Sequence, residues 1–199
     1  MEHYNNHGQH QGENNNRKVI MWTFLLITSF MIVEVIGGFM TNSLALLSDA
    51  GHMLSDSAAL GLSYVALIVG QRAVSGKKTF GYRRFEIFAA FINGLTLIGI
   101  SVYIFYEAVK RFSAPPNVAS TGMLIVAVLG LVVNIVAAFI LNRGDNDNLN
   151  VKSAFVHVIG DILGSIGAIT AALLILFFQW NIADPIASII VAVLIIFSG

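Results

Sequence analysis

The sequence contains no cysteine, only three prolines and few charged residues: Asp, Glu, Lys and Arg make up 11% of the 199 positions. Without cysteine the chain can form neither disulfides nor thiolate metal sites, which leaves His, Asp and Glu as its strong metal ligands. Hydrophobic residues account for 56% of the chain, more than one soluble core of this size buries. The sequence therefore predicts an integral membrane protein.

Several other features are missing from the sequence. The formal net charge is zero, so nothing indicates a nucleic-acid partner. No cleavable signal peptide is evident, because the first hydrophobic run is long and no small-residue cleavage site follows it. We interpret that run as a retained membrane span. The chain also lacks an ATP-binding motif, and we predict no organic cofactor.

Residues 1–17 form a polar segment before the first hydrophobic run. This segment is rich in Asn, Gln and Gly, includes His3, His7 and His10, and lacks the apolar residues that a folded core needs. We expect a mobile cytoplasmic tail. Its histidines either gather metal ions at the membrane surface or have no function.

Residues 18–199 contain six hydrophobic segments, which predict an all-α bundle of six transmembrane helices. The first five reach the roughly 20 residues that a spanning helix needs, and the sixth stops short. Because the chain ends while the sequence is still apolar, we interpret it as truncated near the end of the sixth helix. The predicted segments are Val19–Met40, Leu44–Gly70, Phe85–Val109, Thr121–Leu141, Ser153–Phe178 and Ile182–Ser198.

The Lys and Arg residues predict the orientation of this bundle. The loops on one side carry only Lys110 and Arg111. Because basic residues concentrate on the cytoplasmic side of membrane proteins, both termini are predicted to be cytoplasmic. The basic residues on that side are Arg17, Lys18, Arg72, Lys77, Lys78, Arg83, Arg84, Arg143 and Lys152.

Two copies of one short motif lie inside the second and fifth hydrophobic segments. His52 and Asp56 are four residues apart, and so are His157 and Asp161. On an α-helix this spacing places both side chains on one face, so each pair directs an imidazole and a carboxylate at one point. Two nitrogens and two oxygens suit a tetrahedral divalent cation, above all zinc. Four such groups in hydrocarbon are costly and are rarely passive.

A structural alternative exists for each motif residue. A single His-x-x-x-Asp pair could be a hydrogen-bonded lock between two helices, but the repetition of the pair favours a metal site. Asp49, three residues before His52, could be a further ligand, an acceptor for an imidazole N–H, or a polar residue near the start of its helix. The last two roles are favoured over direct ligation.

The remaining polar residues of the spans have structural roles by default. Glu34 could relay protons, but a hydrogen bond to a neighbouring helix is favoured; Asn93 and Asn134 are expected to bridge helices in the same way. Both motif segments are also rich in Gly and Ser, which predicts close approach of the second and fifth helices.

Three blocks of the sequence resemble the cation diffusion facilitator family, particularly its bacterial zinc, cobalt and cadmium resistance members. They are Thr41–Asp56, Phe80–Glu86 and His157–Gly164, and the resemblance extends from about Lys18 to Gly199. It implies homodimeric, proton-coupled export of zinc, with Cd²⁺ and Co²⁺ as further substrates, across a bacterial cytoplasmic membrane. It also implies that His52, Asp56, His157 and Asp161 form the family's intramembrane site. Family members usually continue into a cytosolic metal-binding domain, and we expect that this chain is truncated before it.

The residues themselves support the same function. Without an ATP-binding motif, transport must draw on an ion gradient, and histidine exchanges metal for protons near neutral pH. Alternating exposure of the site to the two sides would give zinc/proton antiport.

A metal site inside a membrane protein also fits three functions other than transport by antiport. An intramembrane metalloprotease is disfavoured because neither His52 nor His157 is followed by Glu, so no enzyme activity is predicted. A zinc-binding sensor or structural protein, and a metal channel without proton coupling, stay open as alternatives.

Overall fold

The computed structural model describes the backbone of residues 6–70, 79–144 and 148–198, and the side-chain surroundings of residues 16–62, 64–65, 87–144 and 148–194. The described backbone contains six α-helices and no strand, so the all-α prediction is confirmed. The helices are α1 (Asn6–Thr41), α2 (Leu44–Gly70), α3 (Thr79–Ser113), α4 (Ser120–Leu141), α5 (Leu149–Phe178) and α6 (Ala183–Ser198).

Four helical stretches in the described part of the chain are long and apolar enough to cross a membrane: Asn16–Thr41, Ile87–Ser113, Ser120–Leu141 and Leu149–Phe178. Within the described residues α2 is not among them, because two Asp residues and one His interrupt the apolar sequence of that part of the helix. The described apolar part of α6, Ala183–Leu194, is shorter. Six spans and cytoplasmic termini therefore stay predictions.

Helices α1, α3 and α5 are longer than the hydrophobic segments that predicted them, whereas the bounds of α2, α4 and α6 match the prediction to within one residue. Helix α1 begins at Asn6, inside the polar segment that was expected to be an unstructured tail, and α3 and α5 begin several residues early. A hydropathy pattern indicates only the apolar stretch of a helix and not the polar turns at its ends. Once a helix exists, adding further turns costs little, because the unfavourable step is nucleation.

Some of the predicted features lie outside the described residues. They include the first of the three tail histidines and most of the basic second loop. The backbone is helical at His7, His10, Arg83 and Arg84, but the side chains of these residues are not described. The residues concerned are His3, His7, His10, Arg72, Lys77, Lys78, Arg83 and Arg84.

Four of the helices pack in a ring. Helix α1 contacts α2 and α4, α4 contacts α5, and α5 contacts α2, while α3 and α6 pair with each other beside α2. One apolar cluster, which includes Ile27, Met53 and Val158, fills one half of the ring. A second, which includes Leu46 and Ala168, fills the other half. The His-Asp motifs overlap the first cluster along α2 and α5, because Met53 and Val158 fall within the two motif segments.

The first turn of α2 is held by two side chains. Ser43 Oγ accepts a hydrogen bond from the Leu46 N–H and donates one to the carboxylate of Asp184 in the first turn of α6. The same carboxylate accepts hydrogen bonds from the backbone N–H groups of Leu44 and Ala45. The N–H groups that a helix start leaves unpaired are thus satisfied from another helix.

Arg111, near the end of α3, joins this contact. Its guanidinium donates to the Asn42 carbonyl oxygen at 2.8 Å and lies 3.4 Å from Asp184 Oδ2. Asn42 itself has a positive φ of 56°, which turns the chain between α1 and α2. Asp184 thus contacts both α2 and α3 from the first turn of α6. Its role across helices depends on tertiary contacts that no local pattern reveals.

Candidate metal centre

The two His-Asp motifs face each other across α2 and α5. These helices run antiparallel, so His52 of α2 lies opposite Asp161 of α5, and Asp56 lies opposite His157. Each histidine therefore pairs with the aspartate of the other motif. The structure thus groups His52, Asp56 and Asp161 and places His157 beside Asp56.

The distances between these side chains match a shared ion. His52 Nε2 is 3.5 Å from Asp161 Oδ1 and 3.9 Å from Asp56 Oδ2, and His157 Nδ1 is 3.6 Å from Asp56 Oδ1. Ligand atoms bound at zinc distances around a tetrahedron are about 3.3 to 3.6 Å apart. Two carboxylates beside two neutral imidazoles also carry the charge that a divalent cation balances.

The same distances disfavour a purely structural lock. Nitrogen and oxygen atoms 3.5 to 3.9 Å apart are too far apart for good hydrogen bonds. His52 Nδ1, Asp56 Oδ2 and both Asp161 carboxylate oxygens are buried without a hydrogen-bond partner among the described residues. Unpaired carboxylate oxygens away from water are unfavourable, whereas a cation between them would satisfy several at once.

The four side chains are not equivalent. Ligand atoms of His52, Asp56 and Asp161 all lie within 4.8 Å of one another. His157 lies at the edge of this trio: its side chain is 36% exposed, whereas those of His52 and Asp161 are 12% and 0% exposed. The imidazole of His157 is therefore the ligand candidate with the most access to solvent or lipid.

Asp49 does not support the imidazole of His52, which was one of the roles considered for it. His52 Nδ1 has no partner in the described part of the chain, and the carboxyl group of Asp49 lies within hydrogen-bonding range of Glu34 in α1. Its Oδ1 atom also faces the bare backbone of Gly164 in α5. Asp49 thus belongs to a contact between α1, α2 and α5, beside the trio.

The predicted bridges between helices are confirmed for both asparagines. Asn93 of α3 donates to Ser55 Oγ of α2 at 2.8 Å, and Asn134 of α4 donates to Ser165 Oγ of α5 at 3.2 Å. The expected partner of Glu34 is instead an acid, Asp49. No hydrogen-bond donor reaches either Glu34 oxygen within the described segments.

The glycines of the motif helices do not all serve the contact between α2 and α5. A Cβ on Gly51 would lie 2.8 Å from Ile100 of α3, and one on Gly61 would lie 3.4 Å from Phe24 of α1. A Cβ on Gly160 or Gly167 would meet nothing within 4 Å. The expectation of close approach is met at Gly164 alone, where a Cβ would lie 3.1 Å from Asp49 Oδ1.

The fold and the site define an integral membrane protein with a buried cluster of ligand-type side chains between two of its helices. Residues 20–199 match the family model of the cation efflux transmembrane domain, and the chain belongs to the cation efflux family.

Three curated relatives illustrate the similarity. The chain is 58% identical over 195 residues to a "cadmium, cobalt and zinc/H(+)-K(+) antiporter" of Bacillus velezensis, covering 97% of this chain and 62% of the relative. It is 48% identical over 194 residues to the "zinc transporter ZitB" of Pectobacterium atrosepticum, covering 97% and 61%. It is 43% identical over 182 residues to the "metal cation efflux system protein CzcD" of Cupriavidus metallidurans, covering 92% and 58%. The chain thus spans about three fifths of each relative's length.

Proposed function

We propose that this chain is the membrane part of a transporter that exports divalent metal ions, with zinc as the main substrate, in exchange for protons. His52, Asp56, His157 and Asp161 bind the ion. Transport, and no catalytic reaction, is the function that these side chains support. Cadmium and cobalt are further proposed substrates, because the name of the Bacillus velezensis relative includes both metals.

The observation that carries this proposal is the cross-pairing of the two motifs. Nitrogen and oxygen ligands from α2 and α5 converge with spacings of 3.5 to 3.9 Å, and several of their atoms have no partner among the described residues. A site shared between two helices loses its ligand set when the helices separate. Binding and release can therefore follow the relative movement of α2 and α5, as alternating access requires.

Proton exchange follows from the ligand types. A histidine binds metal only when it is neutral, and a carboxylate only when it is ionised, so protons compete directly with the ion. Protons arriving from one side release the metal there. The name of the Bacillus velezensis relative also includes protons as a transported species.

We further propose six membrane crossings with both termini in the cytoplasm, in a bacterial cytoplasmic membrane. The distribution of Lys and Arg supports this orientation, because only Lys110 and Arg111 fall in the loops of the outer side. A homodimer is proposed on the family resemblance alone.

The test is zinc flux into liposomes that contain the purified chain, with the vesicle interior more acidic than the outside. Protons leaving the vesicles should drive zinc uptake, and dissipating the pH gradient should reduce the uptake. The Asp161→Ala variant should lose it, whereas Gly160→Ala, whose added Cβ meets nothing within 4 Å, should retain it.

Two outcomes would favour the alternatives. Zinc binding without flux in the parent chain would identify a sensor or a structural ion. Zinc flux that neither moves protons nor responds to the pH gradient would identify a channel or uniporter.

A further inference from the structure

Glu34 is the one acid of α1 between Val19 and Thr41, and it lies inside the ring of helices. Its side chain is 1% exposed, and both of its carboxyl oxygens lack a donor within the described residues. A buried ionised carboxylate without a donor or a cation is strongly unfavourable. Glu34 therefore requires a proton or a positive ion.

The group that Glu34 faces is a second acid. Its carboxyl lies within hydrogen-bonding range of the carboxyl of Asp49, which is 3% exposed and whose Oδ1 also lacks a partner. Two carboxylates cannot hydrogen-bond to each other, because both only accept. One proton placed between them supplies the missing donor.

Space for this pair is kept by a neighbouring helix that leaves out a side chain. A Cβ on Gly164 of α5 would lie 3.1 Å from Asp49 Oδ1. On the α1 side, a Cβ on Gly37 would lie 2.8 Å from the side chain of Val126 in α4. The pair is thus enclosed by α1, α2, α4 and α5, away from water.

The charges around the pair do not balance without a proton. Helix α2 contributes His52 and Asp56, and α5 contributes Asp161 and His157, whereas α4 has no titratable residue. Zinc at the four ligands would balance the two ligating carboxylates and leave nothing for Glu34 and Asp49. The following charged residues of the other helices fall near the ends of the apolar stretches in the sequence: Arg17, Lys18, Glu107, Lys110, Arg111, Lys152 and Asp184.

We propose that Glu34 and Asp49 form a proton-binding site separate from the metal ligands, in which the two carboxyl groups take up a proton as the metal leaves and give one up as it arrives. This inference rests on the proposed function. A bound divalent ion nearby raises the positive potential at the pair and favours its ionised form, whereas departure of the ion favours protonation. The pair would add to the protons that compete for the ligands themselves.

A proton fits the pair better than a larger cation. Potassium is bound by rings of several oxygens that replace its water. At the pair, the oxygens without partners are the two of Glu34 and Oδ1 of Asp49, and the surroundings are close-packed at Gly164 and Gly37. Three oxygens in such a space suit a shared proton.

The experiment measures the protons released for each zinc ion bound. Calorimetry of the purified full chain in two buffers of different ionisation enthalpy gives this number directly. We expect Glu34→Gln and Asp49→Asn to release fewer protons per zinc, by about one at most, while still binding zinc. Glu34→Asp, which keeps the acid, should release more protons than Glu34→Gln.

Glu107→Gln is the matched control. It makes the same change at an acid that pairs with Lys110 and Arg111 near the end of α3, and its proton count should equal that of the parent. Equal counts in the parent, Glu34→Gln and Asp49→Asn would overturn the proposal. The proposal would also be overturned if the parent bound two zinc ions per chain and either variant bound only one, because the pair would then be a second metal site. A potassium dependence of zinc affinity that Glu34→Gln removes without changing the proton count would mean a potassium site.

A second measurement tests whether Glu34 and Asp49 hold a proton, and it does not depend on zinc binding. In the metal-free chain near neutral pH, the infrared carbonyl band of protonated carboxyl groups should be weaker in the double variant Glu34→Gln/Asp49→Asn than in the parent or Glu107→Gln. An equal band in all three would overturn the proton site. Failure of the parent to bind zinc would instead count against the proposed function, and the infrared result would still stand.

Discussion

The carboxylate of Asp184, at the start of α6, accepts a 2.9 Å hydrogen bond from the backbone N–H of Leu44, the first residue of α2. His52 lies two turns further along α2, about 12 Å away at 1.5 Å per residue. The helix that carries two of the proposed ligands is therefore fixed at one end by a residue from another helix.

Replacing Asp184 should destabilise the protein more than replacing Glu107, a partly exposed acid at the edge of the same contact. Asp184→Ala leaves the N–H groups of Leu44 and Ala45 without this acceptor and removes one of the partners of Arg111, a loss of roughly 3 kcal/mol. Asp184→Asn, which keeps one acceptor oxygen, should lose less. Thermal unfolding in detergent measures both, with Glu107→Gln as the control. Equal melting temperatures for all three would mean that this contact contributes little.

The loss of zinc affinity should depend on where each ligand lies in the cluster. Asp161→Ala removes a fully buried member of the compact trio and should weaken zinc binding by at least about a hundredfold, since even the residues behind a ligand contribute 10- to 100-fold. His157→Ala removes the exposed ligand and should weaken it less. Calorimetry compares the two variants. A larger effect of His157→Ala would place the ion away from the trio.

Metal preference should shift when one nitrogen ligand becomes an oxygen ligand. His52→Asp replaces a neutral, directional nitrogen with a carboxylate that can bind through both oxygens, which relaxes the compact tetrahedron that zinc prefers. We expect partial zinc transport and a higher rate for cadmium or manganese relative to zinc. Competitive uptake into vesicles gives the ratio. An unchanged ratio would assign selectivity to the surrounding helix packing.

Two glycines of α5 should respond differently to the same substitution. Gly164→Ala introduces a Cβ 3.1 Å from Asp49 Oδ1 and should displace that carboxyl or separate α2 from α5. Gly160→Ala meets nothing within 4 Å and should gain up to about 1 kcal/mol of helix stability. Transport and thermal unfolding of both variants test this. Similar behaviour would mean that the contact at Gly164 yields easily.

The orientation can be tested at two exposed residues in loops. A cysteine in place of Asn117, between α3 and α4, should react with an impermeant reagent only from outside the cell. One in place of Asn142, just after α4, should react only from the cytoplasm. The chain has no native cysteine to interfere. The opposite labelling would reverse the direction of transport as well.

The sequence predicted six helical segments, because hydropathy is a local property, and the i, i+4 spacing set each His-Asp pair on one face of α2 or α5. The structure brings these faces together, with His52 3.5 Å from Asp161 and His157 3.6 Å from Asp56. Metal binding by the four residues stays a prediction. The contacts of Asp49 and Glu34 were not predictable in this way. Glu34 is the one acid in the apolar part of α1, Asp49 lies one turn before His52 in α2, and the pairing between them depends on how α1 lies against α2. The same holds for Gly51, whose missing side chain admits Ile100 of α3, although the sequence suggested α5.

The pairing of His52 with Asp161 and of Asp56 with His157 exists in one register only. Moving α5 along α2 by a single turn, about 5.4 Å, would set His52 opposite His157 in one direction or Asp56 opposite Asp161 in the other. In each case the remaining two ligands would lose their partners. A slide of one turn would therefore act as a switch between complete and incomplete coordination, so a ratchet of these two helices could discharge the ion without any change in the ligands themselves.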